Sequence, residues 1–147
     1  MNIRTGKTSD IEAVMALEKE CMPHPWSRDD IAALFDNENK IALIAEEDGC
    51  IAGYVGASMV IDEAEIGNIC VSPKFRRRGI AKALLNELIR VLKERGVCVL
   101  FLEVESTNTG AIALYEQNAF EKYSERKDYY GAGKDALLYK NTKGFTR

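Results

Sequence analysis

The residues best suited to chemistry lie in one stretch, Ile69-Cys70-Val71-Ser72-Pro73-Lys74-Phe75-Arg76-Arg77-Arg78-Gly79-Ile80-Ala81-Lys82, where an apolar run stops at a proline, turns basic and opens into a helical pattern. Such a junction suits an anion. A glycine turn lets backbone N–H groups converge, and the start of the helix adds the positive end of its dipole. The spacing Arg76-x-x-Gly79-x-Ala81 matches neither G-x-x-x-x-G-K-[ST] nor G-x-G-x-x-G, which disfavours nucleoside triphosphates and NAD. What remains is a pyrophosphate held without a catalytic metal.

Two further positions carry polar groups of interest. Glu103 lies near the carboxyl end of the apolar run Val97 to Val104, where a charged side chain is either exposed on a sheet rim or partly buried and functional. Periodicity does not choose between these. After it, Ser106-Thr107-Asn108 offers caps for a short helix to about Gln117, on which residues 108, 112 and 115 share one side. Asn108 and Tyr115 therefore address the same space. The bland alternatives are a rim salt bridge for Glu103, a core aromatic for Tyr115 and a simple N-cap for Asn108.

The elements that must position these residues follow from periodicity. Met1 to Thr5 reads as a strand, and Ser9 as the cap of a helix with the stripe Ile11, Val14, Leu17 and Cys21. Ser27 and Asp30 resemble a capping box, with Trp26 stapled to the next turn of a helix ending near Phe35. Lys40 to Glu46 and Cys50 to Val60 form a hairpin, and a turn at Ile61-Asp62-Glu63 leads into a third strand, Glu65 to Val71. In that strand Ile66, Asn68 and Cys70 should share one face. Ala81, Leu84, Leu85, Leu88, Ile89 and Leu92 mark the buried side of a long helix that Gly96 ends. Val97 to Val104 then reads as a central strand covered on both faces, parallel to the strand before the helix. Phe120 to Lys127 and Ala136 to Asn141 close the sheet, and the tail from Thr142 onward is expected to be loose.

Composition bounds the rest. With 147 residues, 46% of them hydrophobic, the chain is expected to form a single domain over residues 1–147. Twenty basic against twenty-three acidic residues, a formal charge of -3, argues against a general nucleic-acid binder. Cysteines at 21, 50, 70 and 98 show no C-x-x-C pair, so a structural metal is not expected, and most of the thiols should be buried and reduced. Neither a signal peptide nor a long apolar span is apparent, so a cytoplasmic protein with no membrane partner is expected.

The segment Arg76-Arg77-Arg78-Gly79-Ile80-Ala81 resembles the acetyl-CoA motif Q/R-x-x-G-x-G/A of the GNAT acetyltransferases. The likeness continues in Asn68 to Pro73, Ala83-Leu84-Leu85, Leu102-Glu103-Val104, Asn108, Ala111 to Glu116, Pro25-Trp26-Ser27, Asp62-Glu63-Ala64 and Tyr129-Tyr130. These are similar to the branch that acetylates the N-terminal alanine of a small-subunit ribosomal protein. The resemblance implies an α/β fold (α+β by some schemes): a mixed, mostly antiparallel sheet with splayed central parallel strands, flanked by helices. It implies acetyl-CoA as donor, with backbone N–H groups of Arg77, Arg78, Gly79, Ile80, Ala81 and Lys82 on the pyrophosphate and Arg76 nearby. It places Ile69, Cys70 and Val71 beside the pantetheine arm, with Asn108 as a further contact. It also implies Glu103 as base, made more basic by burial among Leu100, Leu102 and Val104, and Tyr115 as the acid that protonates the departing thiolate.

The implied partner is the N-terminal peptide of a basic ribosomal protein, with possible ribosome association, and a monomer is favoured. Asp62, Glu63, Glu65, Trp26, Tyr129 and Tyr130 would line an acidic, aromatic entrance. A GNAT enzyme acting on a small-molecule amine or a lysine side chain, and a non-catalytic acyl-CoA-binding or ribosome-associated module, are the alternatives. The family's usual glycine before phenylalanine is Ala119 here, so the left-handed turn is expected to move to Asn118.

Overall fold

A computed structural model describes residues 1–146; Arg147, the last residue of the expected domain, lies outside the described residues. Seven strands form one sheet: β1 (Asn2–Thr5), β2 (Lys40–Glu47), β3 (Cys50–Val60), β4 (Glu63–Val71), β5 (Val99–Glu105), β6 (Glu121–Arg126) and β7 (Ala136–Asn141), in the order β1-β2-β3-β4-β5-β7-β6. Helices α1 (Ile11–Cys21), α2 (Arg28–Asp36), α3 (Ile80–Glu94) and α4 (Thr109–Gln117) flank it. Every neighbouring pair is antiparallel except β4 and β5, the two strands joined through α3. Their pairing is brief. It runs from Glu63↔Val99 to Glu65↔Phe101, and beyond it the strands splay apart.

Two apolar clusters hold the layers together. On one face α3 buries Ile80, Leu84, Leu85, Leu88 and Leu92 against Leu43, Val55, Ile66, Leu100, Leu102 and Val104, with Tyr115 of α4 in the same cluster. On the other, Ile11, Val14 and Leu17 of α1 and Ile31 and Leu34 of α2 pack on Ala42, Ile44, Tyr54 and Cys70. Each fully buried aliphatic side chain contributes about 1.5–3 kcal/mol relative to exposure.

Several expectations change. Ser9 caps nothing: a single 3₁₀ turn, Thr8–Asp10, leads into α1, and Asp10 stands at its N-cap. Ile66, Asn68 and Cys70 do not share a face. The β3–β4 register jumps from Gly56↔Asn68 to Ala57↔Ile66, so Gly67 is an extra, bulged residue that turns Ile66 toward α3 and Cys70 toward α1. Trp26 is half-buried, packs in the same apolar cluster as Ile31 of α2, and lays its ring over that bulge, where a Cβ at Gly67 would overlap it.

β5 is covered on one face only. Leu100, Leu102 and Val104 are buried, while Phe101, Glu103 and Glu105 alternate with them on a side that α1 and α2 do not cover. The tail is not loose, since Phe145 is 4% exposed within the α3 cluster and the Gly144 N–H donates to Asn141 Oδ1 at 2.9 Å. Of the cysteines only Cys70 is buried; Cys21 is half-buried, Cys50 and Cys98 are exposed, and all are free.

α3 and α4 end in the same way. Val97 N–H returns to Leu92 O at 3.0 Å around Gly96 (φ 87°), and Phe120 N–H returns to Tyr115 O at 3.1 Å around Ala119 (φ 68°). Both are Schellman ends, which require the left-handed region at that one position. The strain therefore falls on Ala119 itself and not on Asn118, whose φ is -114°.

Candidate active site

Where β4 and β5 splay, a cavity of about 730 Å³ opens between them. It is lined from the α3 and α4 side by Ile69, Val71, Ala81, Ala111, Leu114 and Tyr115, and from the other by Asn68, Cys70, Glu103, Glu105 and Tyr130. It is a slot through the sheet. Groups of both layers meet in it because the β4–β5 ladder stops at Glu65↔Phe101.

The basic turn stands at one end of the slot. Ser72 is buried and donates to Glu20 Oε1 at 2.7 Å, which anchors the exit from β4. A 3₁₀ turn, Pro73–Phe75, then leads to Arg77 (φ 64°) and Gly79 (φ 76°), both left-handed, and Gly79 is the N-cap of α3. The first backbone bond returning to this turn is Ala83 N–H to Gly79 O at 3.0 Å. Among the described residues, the N–H groups of Arg77 to Lys82 have no protein acceptor, which leaves a run of free donors at the positive end of α3. Arg76 lines the slot itself and directs its Nε at Val71 O, 3.4 Å away. Arg78 lies over the Phe75 ring at 5.2 Å, and the Ile80 side chain is buried in the core. Of the turn and the first residues of α3, Arg76 and Ala81 line the slot, while Arg77, Arg78, Gly79, Ile80 and Lys82 do not.

At the other end stand the titratable groups. Tyr115 is 6% exposed, and burial, with Cys70 as a second cause, pushes its phenol up to about 12, so it is an acid at neutral pH. Its hydroxyl has no protein partner among the described residues, and no buried polar side-chain atom is left unpaired, so that hydroxyl opens into the slot. Asn108 caps α4 through Oδ1 to the Ala111 N–H at 3.2 Å and lines the slot as well. The cap and the shared space are both present.

Glu103 reaches the slot from the uncovered face of β5. The expected burial among Leu100, Leu102 and Val104 is absent, because strand alternation puts those three on the opposite face. Tyr130 donates to Glu103 Oε2 at 2.6 Å, and its own phenol is pushed upward by burial and then by that carboxylate. Beside them is a second hollow of about 490 Å³ lined by Glu65, Phe101, Tyr123, Arg126, Tyr129 and Leu138. Asp62 and Glu63 lie at the exposed tip of the β3–β4 hairpin and line neither cavity.

One residue of the slot's surroundings, Glu18, escaped the sequence reading, and so did two contacts, Asn68 with Glu18 and Tyr130 with Glu103. Glu18, on α1, is 0% exposed and receives hydrogen bonds from four residues; the signal for it was a carboxylate falling between Val14 and Cys21 on the helix's apolar stripe. The Asn68–Glu18 and Tyr130–Glu103 contacts had no comparable signal. Burial pushes the Cys21 and Cys70 thiols upward, which disfavours either as a nucleophile. Among the described residues no cluster of three or more His, Cys, Asp or Glu side chains is placed to hold a metal ion, and no helix is long and apolar enough to cross a membrane.

Residues 11–120 match the model of the acetyltransferase (GNAT) family. The chain belongs to that family. As in other GNAT acetyltransferases, its donor is acetyl-CoA, and the free N–H groups at the start of α3 fit the pyrophosphate. Ribosomal protein bS18-alanine N-acetyltransferase of Escherichia coli strain K12 is 36% identical over 128 residues, 87% of this chain and 86% of the relative. The protein of the same name from Salmonella typhimurium is 38% identical over 125 residues, 84% and 82% of the two chains. The crystal structure of the Escherichia coli ribosomal-protein-S18-alanine N-acetyltransferase superposes with a TM-score of 0.89 at 34% identity, covering 95% of this chain and 92% of that one. An Arabidopsis NAA60 structure in complex with acetyl-CoA has a TM-score of 0.86 at 22% identity, a likeness of fold.

Proposed function

We propose that this GNAT domain, residues 1–147, transfers the acetyl group of acetyl-CoA to the N-terminal α-amine of a protein, the N-terminal alanine of the ribosomal protein bS18 being the foremost candidate. The observation that carries this reading is the slot with a carboxylate on one rim and a buried, un-ionised phenol on the other. Ile69, Cys70 and Val71, on the stretch of β4 that has lost its β5 partner, border the pantetheine arm, whose amides extend a free strand edge. Arg76, Asn108 and the N–H groups of Arg77 to Lys82 hold the rest of the cofactor.

Only a neutral amine has the lone pair to attack a thioester. An α-amine, with an ordinary pKa of about 7.7–8.0, is partly neutral near pH 7, whereas a lysine near 10.4 is almost wholly charged. Glu103 takes a proton from the attacking nitrogen, directly or through a water. Tyr115 gives its proton to the departing thiolate. No covalent enzyme intermediate is needed. Glu65 and the aromatic wall of Phe101, Tyr123 and Tyr129 suit the basic residues of a ribosomal tail.

Acceptor profiling tests the reading. A short basic peptide beginning with Ala should be acetylated at its α-amine, and an Nα-blocked copy with a free lysine should not. Turnover on a polyamine or a lysine peptide, with the Ala peptide ignored, overturns it.

A further inference from the structure

Glu18 is fully buried next to the slot, yet the chemistry above gives it no part. Its carboxylate accepts from the Trp26 backbone N–H at 2.9 Å, the Tyr54 hydroxyl at 2.7 Å and the Cys70 thiol at 3.2 Å. Asn68 Nδ2 approaches both of its oxygens, at 3.1 and 2.9 Å. Among the described residues no lysine or arginine pairs with it.

Asn68 thus turns its nitrogen toward both Glu18 oxygens, which makes Oδ1 the outward end of the amide. That Oδ1 receives no donor among the described residues. Since no buried polar side-chain atom of the described residues lacks a partner, it is open to solvent, and Asn68 lines the slot shared by Glu103 and Tyr115. A neutral amine attacking a carbonyl carbon aims its lone pair at that carbon, so its N–H bonds point away and require acceptors.

We propose that Asn68 Oδ1 accepts a hydrogen bond from the attacking amine, and that Glu18 is the positioning residue that fixes the Asn68 amide in the accepting orientation. The inference rests on the reading that an amine attacks within this slot. As the C–N bond forms and the thioester C–S bond breaks, the nitrogen gains positive charge, its surplus proton passes to Glu103, and the thiolate takes the proton of Tyr115. Asn68 neither gains nor loses a proton. Its carbonyl dipole faces the nitrogen while that charge is present, so the contact is stronger in the transition state than in the ground state. Glu18→Gln brings an amide of its own, which can donate to Asn68 Oδ1 and let the Asn68 group turn its N–H bonds toward the amine.

Two measurements decide. In the free protein, the Asn68 side-chain N–H₂ resonances should be shifted and slow to exchange, and both features should vanish in Glu18→Gln; ordinary, fast-exchanging resonances in the unaltered protein overturn the orientation whatever the acceptor proves to be. In steady-state assays on the best acceptor amine, Glu18→Gln and Asn68→Ala should each lower kcat about tenfold to a hundredfold, the scale of one lost charge-assisted hydrogen bond. The KM for acetyl-CoA should hold, and the double variant should be no worse than the poorer single one. Independent, multiplying losses or an unchanged kcat contradict the proposal. If Glu18→Gln fails to fold, Asn68→Ala decides: lower kcat with an unchanged acetyl-CoA KM supports the proposal, and full activity sinks it.

Discussion

The two sides of the slot are built by different means. On the α3 side the polar groups are backbone N–H groups of consecutive residues, held open by left-handed Arg77 and Gly79. On the α1 side they are side chains from distant places, with Glu18 bonded to Tyr54, Asn68 and Cys70 across as many as 52 residues. A backbone cradle tolerates many side chains as long as the turn keeps its shape. A side-chain network depends on every member, since each buried donor or acceptor left unpaired costs about 1–3 kcal/mol.

The largest expected effects fall where the two sides meet. Tyr115→Phe and Glu103→Gln should each lower kcat by about 10²–10⁴, the usual range for a positioned acid or base, with little change in the KM for acetyl-CoA. Wild-type turnover with both variants would remove the catalytic assignment.

The pH profile comes next. Burial raises Tyr115 from 10 to about 12, so the phenol keeps its proton through the alkaline range in which the amine becomes neutral. With an N-terminal acceptor, kcat/KM should climb to about pH 8 and then level, whereas a lysine acceptor would extend the climb toward about 10.4. The sign for stability follows from the same shift. A folded-state pKa raised above the unfolded one gives stability that is complete below pH 10 and lost as pH rises through about 12. Tyr115→Phe should flatten that part of the alkaline unfolding curve.

Gly79→Ala probes the cradle alone. At φ 76° a Cβ costs about 1–2 kcal/mol even though it would meet no neighbour within 4 Å. The KM for acetyl-CoA should rise about tenfold, with kcat at saturation largely kept, since 1.4 kcal/mol is a factor of ten. A fall in kcat with KM unchanged would mean that the turn serves the acceptor side instead. The smallest effect belongs to Ala119→Gly, which relieves the left-handed residue ending α4 and should add about 1 kcal/mol of stability without altering kinetics. An unchanged Tm would show that Ala119 carries no strain.

The same contrast governs what the sequence made legible. The cradle is a contiguous motif, so Arg76 to Lys82 could be read as an anion site, and the parallel β4-α3-β5 unit followed from one apolar stripe and one glycine stop. The placement of Asn108 and Tyr115 in one space followed from helical spacing. The face of Glu103 did not, because an apolar run looks alike whether one side or both are covered, and only the limited reach of α1 and α2 leaves that side open. Ile66 was misplaced relative to Asn68 and Cys70 for a different reason: the bulge at Gly67 shifts side-chain alternation by one residue, and a lone glycine in a strand does not announce whether it bulges. Tyr130 meets Glu103 across 27 residues of chain, a contact no local pattern carries.

The account stands on the acceptor being a protein N-terminus, and intact-mass analysis of the ribosomal proteins of the host, with and without this gene, measures that directly. Loss of a single acetyl group from one small-subunit protein beginning with alanine, restored by the wild-type gene and not by Tyr115→Phe, is the expected result. Unchanged masses across every ribosomal protein would contradict it.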